Sequence, residues 1–295
     1  MEGYNQDNTA DSGELARDWA GLISECLRNI LSRLSLEDRW LGAMLVCKAW
    51  LQECKDPNLN SVLDLETNFD SVTELPRFWT PEFESRIDNM IISVVGWSNG
   101  SLSEIRVRHC SDRSLSLVAR RCPNIRVLSI KSCPHVSDII MSEIASGCPK
   151  LKELDISYCY QISHESLKTI GSHCPNLQIL RRNIMNWLDS SPHVGIVPNE
   201  YLNAYPRDGN LEAAAIGNSM PHLLQLELQF SKLMGVGLDL ICEGSLDLEY
   251  IDLSGCRSVS RRAIENAKSK LKKLEIKKPN IYITRSVLRW ERHDY

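Results

Sequence analysis

Cysteine is the potentially reactive residue that recurs most regularly in this chain. There are eleven cysteines, eight of them between residues 110 and 256. Two sets repeat every 26 residues: Cys122, Cys148 and Cys174, each followed by proline, and Cys133 with Cys159. Thiols act as nucleophiles, bind zinc or form disulfides, yet there is no C-x-x-C pair and no zinc-ligand spacing. Stacked repeats would bring equivalent thiols within disulfide reach, but we favour reduced, buried, structural thiols.

Sequence motifs for other enzyme chemistry are missing. The chain has no G-x-x-x-x-G-K-[ST] loop, no H-E-x-x-H and no G-x-S-x-G. The histidines are scattered singly, and no pair of carboxylates stands out. We therefore predict a protein without catalytic residues, metal or cofactor.

The cysteines belong to a repeating unit. In the two clearest copies, Ile125 and Leu151 each open an apolar L-x-x-L-x-I pattern. The last two apolar residues of that pattern are two apart, which places them on one face of a strand. Ser137 and Ser163 follow as N-caps of helical patterns. Each unit is a strand, a turn, a helix and a turn, and stacking pairs the strands in parallel.

More degenerate copies extend the repeat over residues 102–278. They begin at Leu102, Leu177, Leu223, Leu248 and Leu271. The 46 residues between Leu177 and Leu223 exceed the usual interval by about 20, so an insertion is expected at about 183–210. The pattern resembles leucine-rich repeats of the cysteine-containing type. The resemblance implies an α/β solenoid, an open horseshoe with parallel strands inside and helices outside.

Residues 18–58 have a different pattern, predicted to form three short helices. Three pieces carry it: Leu22-Ile23-x-Glu25-x-Leu27, Ile30-Leu31-x-x-Leu34 and Val46-Cys47-x-x-Trp50. They resemble the F-box family, although Ile23 stands where that family usually has proline. So few residues bury too little surface to be stable alone. The resemblance implies a surface for a Skp-type adaptor, formed by Leu22, Ile23, Leu27, Ile30, Leu31, Leu34, Val46 and Trp50.

The remaining segments are less regular. Residues 1–17 are polar and are predicted to be a disordered tail. Residues 59–101 read as a degenerate first repeat, with a strand at 62–65, a loop at 76–83 and a helix near 87–95. Residues 279–295 are predicted to be a C-terminal cap and tail.

Composition narrows the class of protein. The chain has 295 residues, 43% of them hydrophobic, and a formal net charge of −4. The charge gives no reason to expect nucleic acid as a partner, and no apolar run is long enough for a membrane helix. The N-terminus lacks the pattern of a signal peptide. We expect an intracellular protein of the nucleus, the cytoplasm or both.

The combination of F-box and repeats resembles plant substrate receptors of SCF-type ubiquitin ligases. That resemblance implies a non-catalytic subunit whose F-box docks on a Skp-type adaptor and, through it, on a cullin and a ring subunit. The repeats would hold a protein substrate for ubiquitination and proteasomal degradation. One alternative is an adaptor-binding scaffold without a degradative role. A small-molecule receptor is a further alternative, against which the small number of repeats argues.

Two sets of residues are candidates for substrate binding. The predicted strand face supplies Arg106, Arg108, Lys131, Glu153, Asp155, Glu227, Tyr250 and Asp252. The insertion supplies Trp187, Tyr201 and Tyr205, residue types common at binding hot spots. A basic stretch at 257–278 is interpreted as a solvated terminal repeat, with a site for a phosphorylated or acidic partner as the less favoured alternative.

Overall fold

The computed structural model describes residues 21–66, 75–186, 194–199 and 209–279. The chain divides into two compact units between Asp56 and Pro57. The first contains helices α1 (Ser24–Leu31), α2 (Leu36–Leu41) and α3 (Lys48–Cys54), with a 3-10 turn at Ala43–Leu45. Ser35 caps α2, since its hydroxyl oxygen accepts a hydrogen bond from the Asp38 amide at 3.0 Å.

The second unit alternates strands and helices. Its strands are β1 (Val62–Asp64), β2 (Glu104–Arg108), β3 (Val127–Lys131), β4 (Glu153–Asp155), β5 (Ile179–Arg181), β6 (Gln225–Glu227), β7 (Tyr250–Asp252) and β8 (Glu275–Lys277). Its helices are α4 (Pro81–Ser98), α5 (Asp112–Arg121), α6 (Asp138–Gly147), α7 (His164–His173), α8 (Gly209–Ser219), α9 (Gly235–Gly244) and α10 (Arg261–Lys270).

All eight strands form one open sheet in sequence order, and every neighbouring pair is parallel. The second residue of each strand faces the helices. This inner row is Leu63, Ile105, Leu128, Leu154, Leu180, Leu226, Ile251 and Ile276, all buried. In β2 to β7 this row is the second apolar position of each repeat, so the repeat period sets the register there. The predicted fold class, a helical N-terminal unit followed by a parallel-strand solenoid, is confirmed.

Successive helices are joined by hydrogen bonds that the start of the later helix donates to a carboxylate of the earlier one. Asp88, Asp112 and Asp138 accept from the amides of Ser111, Ser137 and Ser163 at 3.0, 2.9 and 2.8 Å. Each of these serines is the N-cap of its own helix. The first turn of each of these helices therefore lies beside a carboxylate of the preceding repeat. The negative charge stabilises the unpaired amides of that turn and the helix dipole. We call these bonds the Asp–Ser ladder.

One sequence expectation is wrong. Residues 76–83 are not a loop: Pro76–Trp79 form a 3-10 turn, and Pro81 begins α4. Thr80 is the N-cap and accepts from the Phe83 amide at 3.3 Å. A threonine before a proline at the first helical position is a known helix start, and the sequence contained this signal. Within the described residues, the structure has no helix that is long and apolar enough to span a membrane.

Candidate interaction surfaces

The first compact unit carries an unusual share of exposed apolar side chains. Residues 21–56 contain five of the thirteen large hydrophobic side chains exposed in the described part of the chain. They are Ile23 (67% exposed), Ile30 (38%), Leu41 (70%), Leu45 (76%) and Val46 (54%). Five such residues within 36 form a candidate docking surface, because exposed apolar patches mark interaction sites. We call these five residues the apolar docking set.

The predicted adaptor contacts divide into inner and outer residues. Ile23, Ile30 and Val46 are exposed, and Leu22, Leu34 and Trp50 are half-buried. Leu27 and Leu31 are 2% and 0% exposed, so the prediction that they contact the adaptor needs correction. Both side chains lie in the interior because the face of α1 that carries them points inward. Leu41 and Leu45, which were not among the predicted adaptor contacts, are also exposed.

A chain of ion pairs crosses the strand face. The Glu153 carboxylate accepts from Arg106 at 3.1 Å and from Arg181 at 2.6 Å. Arg181 also reaches Glu227 at 3.0 Å, and Lys131 lies 3.3 Å from Asp155. Burial opposes ionisation of Glu153, but hydrogen bonds from Arg106 and Arg181 bring its pKa below the ordinary value. The strand face therefore has fixed side chains of both charges.

Two of the predicted substrate contacts have an internal role instead. Asp155 and Asp252 are each 2% exposed, and both bind the backbone two residues further on, at Ser157 (3.0 Å) and Ser254 (2.8 Å). Burial raises the pKa of Asp155. In Asp252, burial is outweighed by hydrogen bonds from Ser254 and Lys277, which lower its pKa. Both aspartates stabilise the turn after their strand. Arg106, Arg108, Lys131, Glu153, Glu227 and Tyr250 are partly exposed on the strand face.

The repeat with the insertion has a buried ion pair. Arg182 occupies the inward position that Ile130, Ile156 or Leu253 fills elsewhere, and it is 0% exposed. Its guanidinium donates to the Glu212 carboxylate at 3.0 and 3.1 Å and to carbonyls of the preceding repeat. Those carbonyls belong to Ile156 (3.3 Å), Cys159 (2.6 Å) and Ile162 (2.7 Å). Burial disfavours the charge, but Glu212 raises the pKa of Arg182. The pair connects the two ends of the insertion.

Side chains from separate segments meet where the strands end. Tyr160, Ile184, Met185 and Val197 form a buried apolar cluster, against which Trp79, Tyr158, Ile196 and Phe230 pack. Residues 184, 185, 196 and 197 belong to the insertion, and Trp79 comes from the turn before α4. We call these eight residues the rim cluster. Trp187, Tyr201 and Tyr205, predicted as substrate contacts, lie outside the described residues.

His109 anchors the turn before α4 to β2. Its ring lies 4.8 Å from Trp79 and 5.8 Å from Phe83, centre to centre, in edge-on geometry. The side chain is 1% exposed, and burial together with the nearby Arg108 charge lowers its pKa to about 3. His109 is therefore neutral at physiological pH and serves as a packing residue.

The thiols of the repeats are buried, and none of them forms a disulfide. The sulfurs of Cys110 and Cys133 lie 3.5 Å apart, and both cysteines are free. Burial raises the pKa of Cys148 to about 12 and that of Cys174 to about 11. A thiol protonated at neutral pH is a poor nucleophile. Within the described residues no group of three or more His, Cys, Asp or Glu side chains could hold a metal.

Comparison with known proteins places this architecture in a family. The F-box domain model matches residues 19–61. The F-box protein SKIP1 of Arabidopsis thaliana is 54% identical over 270 residues, covering 91% of this chain and 89% of that protein. Putative F-box/LRR-repeat protein 19 of the same plant is 56% identical over 273 residues, covering 92% and 91%. The chain belongs to the plant F-box/leucine-rich-repeat family.

Membership gives the F-box/leucine-rich-repeat chain a general role as an adaptor subunit of the SCF type. Proteins of this family are typically non-catalytic. Among solved structures, the crystal structure of the Rad7 and Elc1 complex in yeast is similar over 82% of this chain and 86% of that chain. Its sequence identity of 12% and TM-score of 0.29 are too low to support an argument about this protein.

Proposed function

We propose that this protein is the substrate-recognition subunit of an SCF-type ubiquitin ligase. Its F-box unit docks on a Skp-type adaptor, and its solenoid holds a protein substrate for ubiquitination and proteasomal degradation. The observation that carries the proposal is the apolar docking set on the F-box unit of a chain that also has an eight-stranded repeat stack. The protein acts by proximity, because it raises the local concentration of a target lysine beside the ubiquitin-loaded enzyme.

Adaptor docking is assigned to the apolar docking set. Burial of a large aliphatic side chain contributes about 1.5–3 kcal/mol, so a few such residues account for a stable complex. Leu27 and Leu31 support this surface from inside, since both are buried. Leu22, Leu34 and Trp50 are half-buried and form its border. A cullin and a ring subunit join the complex through the adaptor.

Substrate binding is assigned to the strand face and the rim cluster. Arg106 and Glu153 pair with each other, Lys131 pairs with Glu66 and Asp155, and Glu227 pairs with Arg181, so all of these side chains are held in fixed positions. Charges arranged in this way favour selectivity among partners more than affinity. Affinity is expected from the aromatic side chains of Trp79, Tyr158 and Phe230, which are partly buried in the rim cluster. Arg108 and Tyr250 lie on the same strand face, and Trp187, Tyr201 and Tyr205 remain predicted contacts.

The adaptor surface is tested with a charged substitution. Leu41→Asp with Leu45→Asp places two carboxylates in the apolar docking set. The matched control is Ile139→Asp with Val236→Asp, which changes two solenoid residues that are 75% and 57% exposed. We expect the first pair to weaken binding of a purified Skp-type adaptor by about a hundredfold or more. The control should bind normally, and equal binding by both variants would contradict the assignment.

The degradative role is tested in cells by proximity labelling with and without a proteasome inhibitor. Substrates should accumulate among the labelled proteins when the proteasome is inhibited, and also when the docking-deficient variant replaces the natural protein. Labelled partners whose abundance never changes would favour the non-degradative scaffold instead. Binding of a purified partner only after addition of a small-molecule extract would favour the receptor alternative.

A further inference from the structure

The last repeat has a large excess of positive over negative charge. Residues 257–279 contain nine lysines and arginines but only two glutamates, a net charge of +7. The whole chain has a net charge of −4, so all other residues together carry −11. A concentration of one charge at one end of a solenoid creates a local field that attracts the opposite charge.

Most of these cations have no acidic partner. Lys270 pairs with Asp239 and Glu243, Lys277 with Asp252, and Arg261 with Glu265. The other six cations are exposed and make no ion pair with any residue that the structure describes. They are Arg257, Arg262, Lys268, Lys272, Lys273 and Lys278. The excess charge is therefore available to a ligand.

Some of the cations surround a groove of about 440 Å³ at the end of the stack. Val259, Ile264 and Pro279 supply its apolar side, and Arg261, Lys268 and Lys278 surround it together with Glu265. Within the described residues no strand follows β8. The apolar residues there are slightly exposed. Ile264 of α10 is 7% exposed, whereas Leu238, at the equivalent position of α9, is 0% exposed. The groove lies where a further repeat would stack.

The charged and apolar side chains of the groove indicate which kind of ligand it binds. A cationic border around an apolar floor fits a peptide that has both carboxylates and an aliphatic side chain. The chain's own residues 280–295 do not complement it, since they contain three arginines against one glutamate and one aspartate. Nucleic acid is also disfavoured, because residues 57–256 of the same solenoid have a net charge of −8 and would repel a long polyanion.

We propose that this terminal groove binds an acidic peptide segment of a partner protein. The carboxylates lie at Arg261, Lys268 and Lys278, and an aliphatic side chain covers Val259 and Ile264. The site is separate from the apolar docking set and from the rim cluster, so it does not depend on the substrate role assigned to them.

The test uses the full-length protein and a fluorescent peptide of Asp and Glu residues that contains two leucines. Matched peptides replace either the acids by Asn and Gln or the leucines by Ser. We expect the acidic leucine peptide to bind tightest and to be released by added salt. Lys268→Glu with Lys278→Glu should weaken its binding by about tenfold or more. The control, Lys152→Glu with Lys168→Glu, makes the same charge change at exposed lysines of other repeats and should bind within about twofold of the natural protein.

Four results would overturn the proposal. An equal loss of peptide binding in both lysine variants would show that the electrostatic field of the whole protein attracts the peptide and that the groove does not. Equal binding of the amide peptide would exclude carboxylate recognition. Tighter binding of duplex DNA, lost in the same groove variant, would assign the site to nucleic acid. Peptide binding that appears only after residues 280–295 are deleted would make that segment the natural occupant.

Discussion

At the scale of single residues, the Arg182–Glu212 pair is the largest departure from the repeat pattern. Charges this deeply buried are costly unless both partners are present and fully hydrogen-bonded. Arg182 meets that condition by also donating to three carbonyls of the preceding repeat, whereas Oε2 of Glu212 has no hydrogen-bond partner among the described residues. The bonds between Arg182 and Glu212 tie the end of β5, before the insertion, to α8 after it. The pair thus fixes where the insertion leaves the solenoid and where it returns.

We predict that Arg182→Leu, although it restores the repeat pattern, destabilises the protein by about 3–5 kcal/mol. The reason is that Glu212 would remain buried without its partner. Urea unfolding of the variant and the natural protein measures the difference. Adding Glu212→Ala to Arg182→Leu should recover part of the loss, because the orphaned charge is removed. A single variant as stable as the natural protein would show that the pair contributes no net stability.

At the scale of elements, glycines set the spacing between neighbouring helices. A Cβ atom at Gly244 of α9 would lie 1.7 Å from the carbonyl oxygen of Gly217 in α8. A contact that short is impossible, so the helices approach each other only because both positions lack a side chain. Gly96 in α4 has nothing within 4 Å of its would-be Cβ atom. The two glycines make a matched pair for testing the packing.

We predict that Gly244→Ala lowers the thermal unfolding midpoint by several degrees, because α8 and α9 must move apart. Gly96→Ala should leave stability unchanged or raise it by up to about 1 kcal/mol, since alanine is the better helix former. Differential scanning calorimetry of both variants compares the same substitution in two environments. Equal effects at the two positions would mean that helix propensity alone governs them.

At the scale of the whole molecule, buried thiols run along the solenoid and make its stability depend on pH. Burial raises the pKa of Cys122 and Cys242 to about 11 and that of Cys256 to about 12, against an ordinary value of 9.0. Above pH 9 the unfolded chain releases thiol protons that the folded chain retains. The free energy of unfolding should therefore be constant below pH 9 with respect to these groups and fall as the pH rises toward 11–12.

The measurement is urea unfolding at a series of pH values from neutral to alkaline. Cys148→Ala with Cys256→Ala removes two of the titrating groups, at a cost in packing that does not depend on pH. Its alkaline slope should be shallower than that of the natural protein, because each unit of pKa shift corresponds to about 1.4 kcal/mol. Identical slopes would assign the alkaline loss to other groups.

The sequence predicted the features that repeat and missed those that join distant segments. Strands β3 and β4 followed from apolar spacing, because every inward residue of a strand contributes to the pattern. Glu212 as the partner of Arg182 did not follow, since 30 residues separate them and the insertion hides the register. The exposure of Leu41 and Leu45 was also missed, because an apolar stripe does not reveal whether it faces its own core or a partner.

The Asp–Ser ladder gives the solenoid a direction. Each rung supports the helix that comes later in the chain, so loss of a C-terminal repeat leaves all earlier helix starts intact. Loss of an N-terminal repeat removes the carboxylate on which the next helix relies. Asp112 and Asp138 are the first residues of α5 and α6. The first residue of α7 is His164, whose ring contacts Glu165 at 3.2 Å. The order of dependence resumes past that position, because the side-chain oxygen of Asn210 in α8 accepts from the amide of Met234, the N-cap of α9, at 3.0 Å. A change in the number of repeats at the insertion would therefore leave the helix starts that precede it intact.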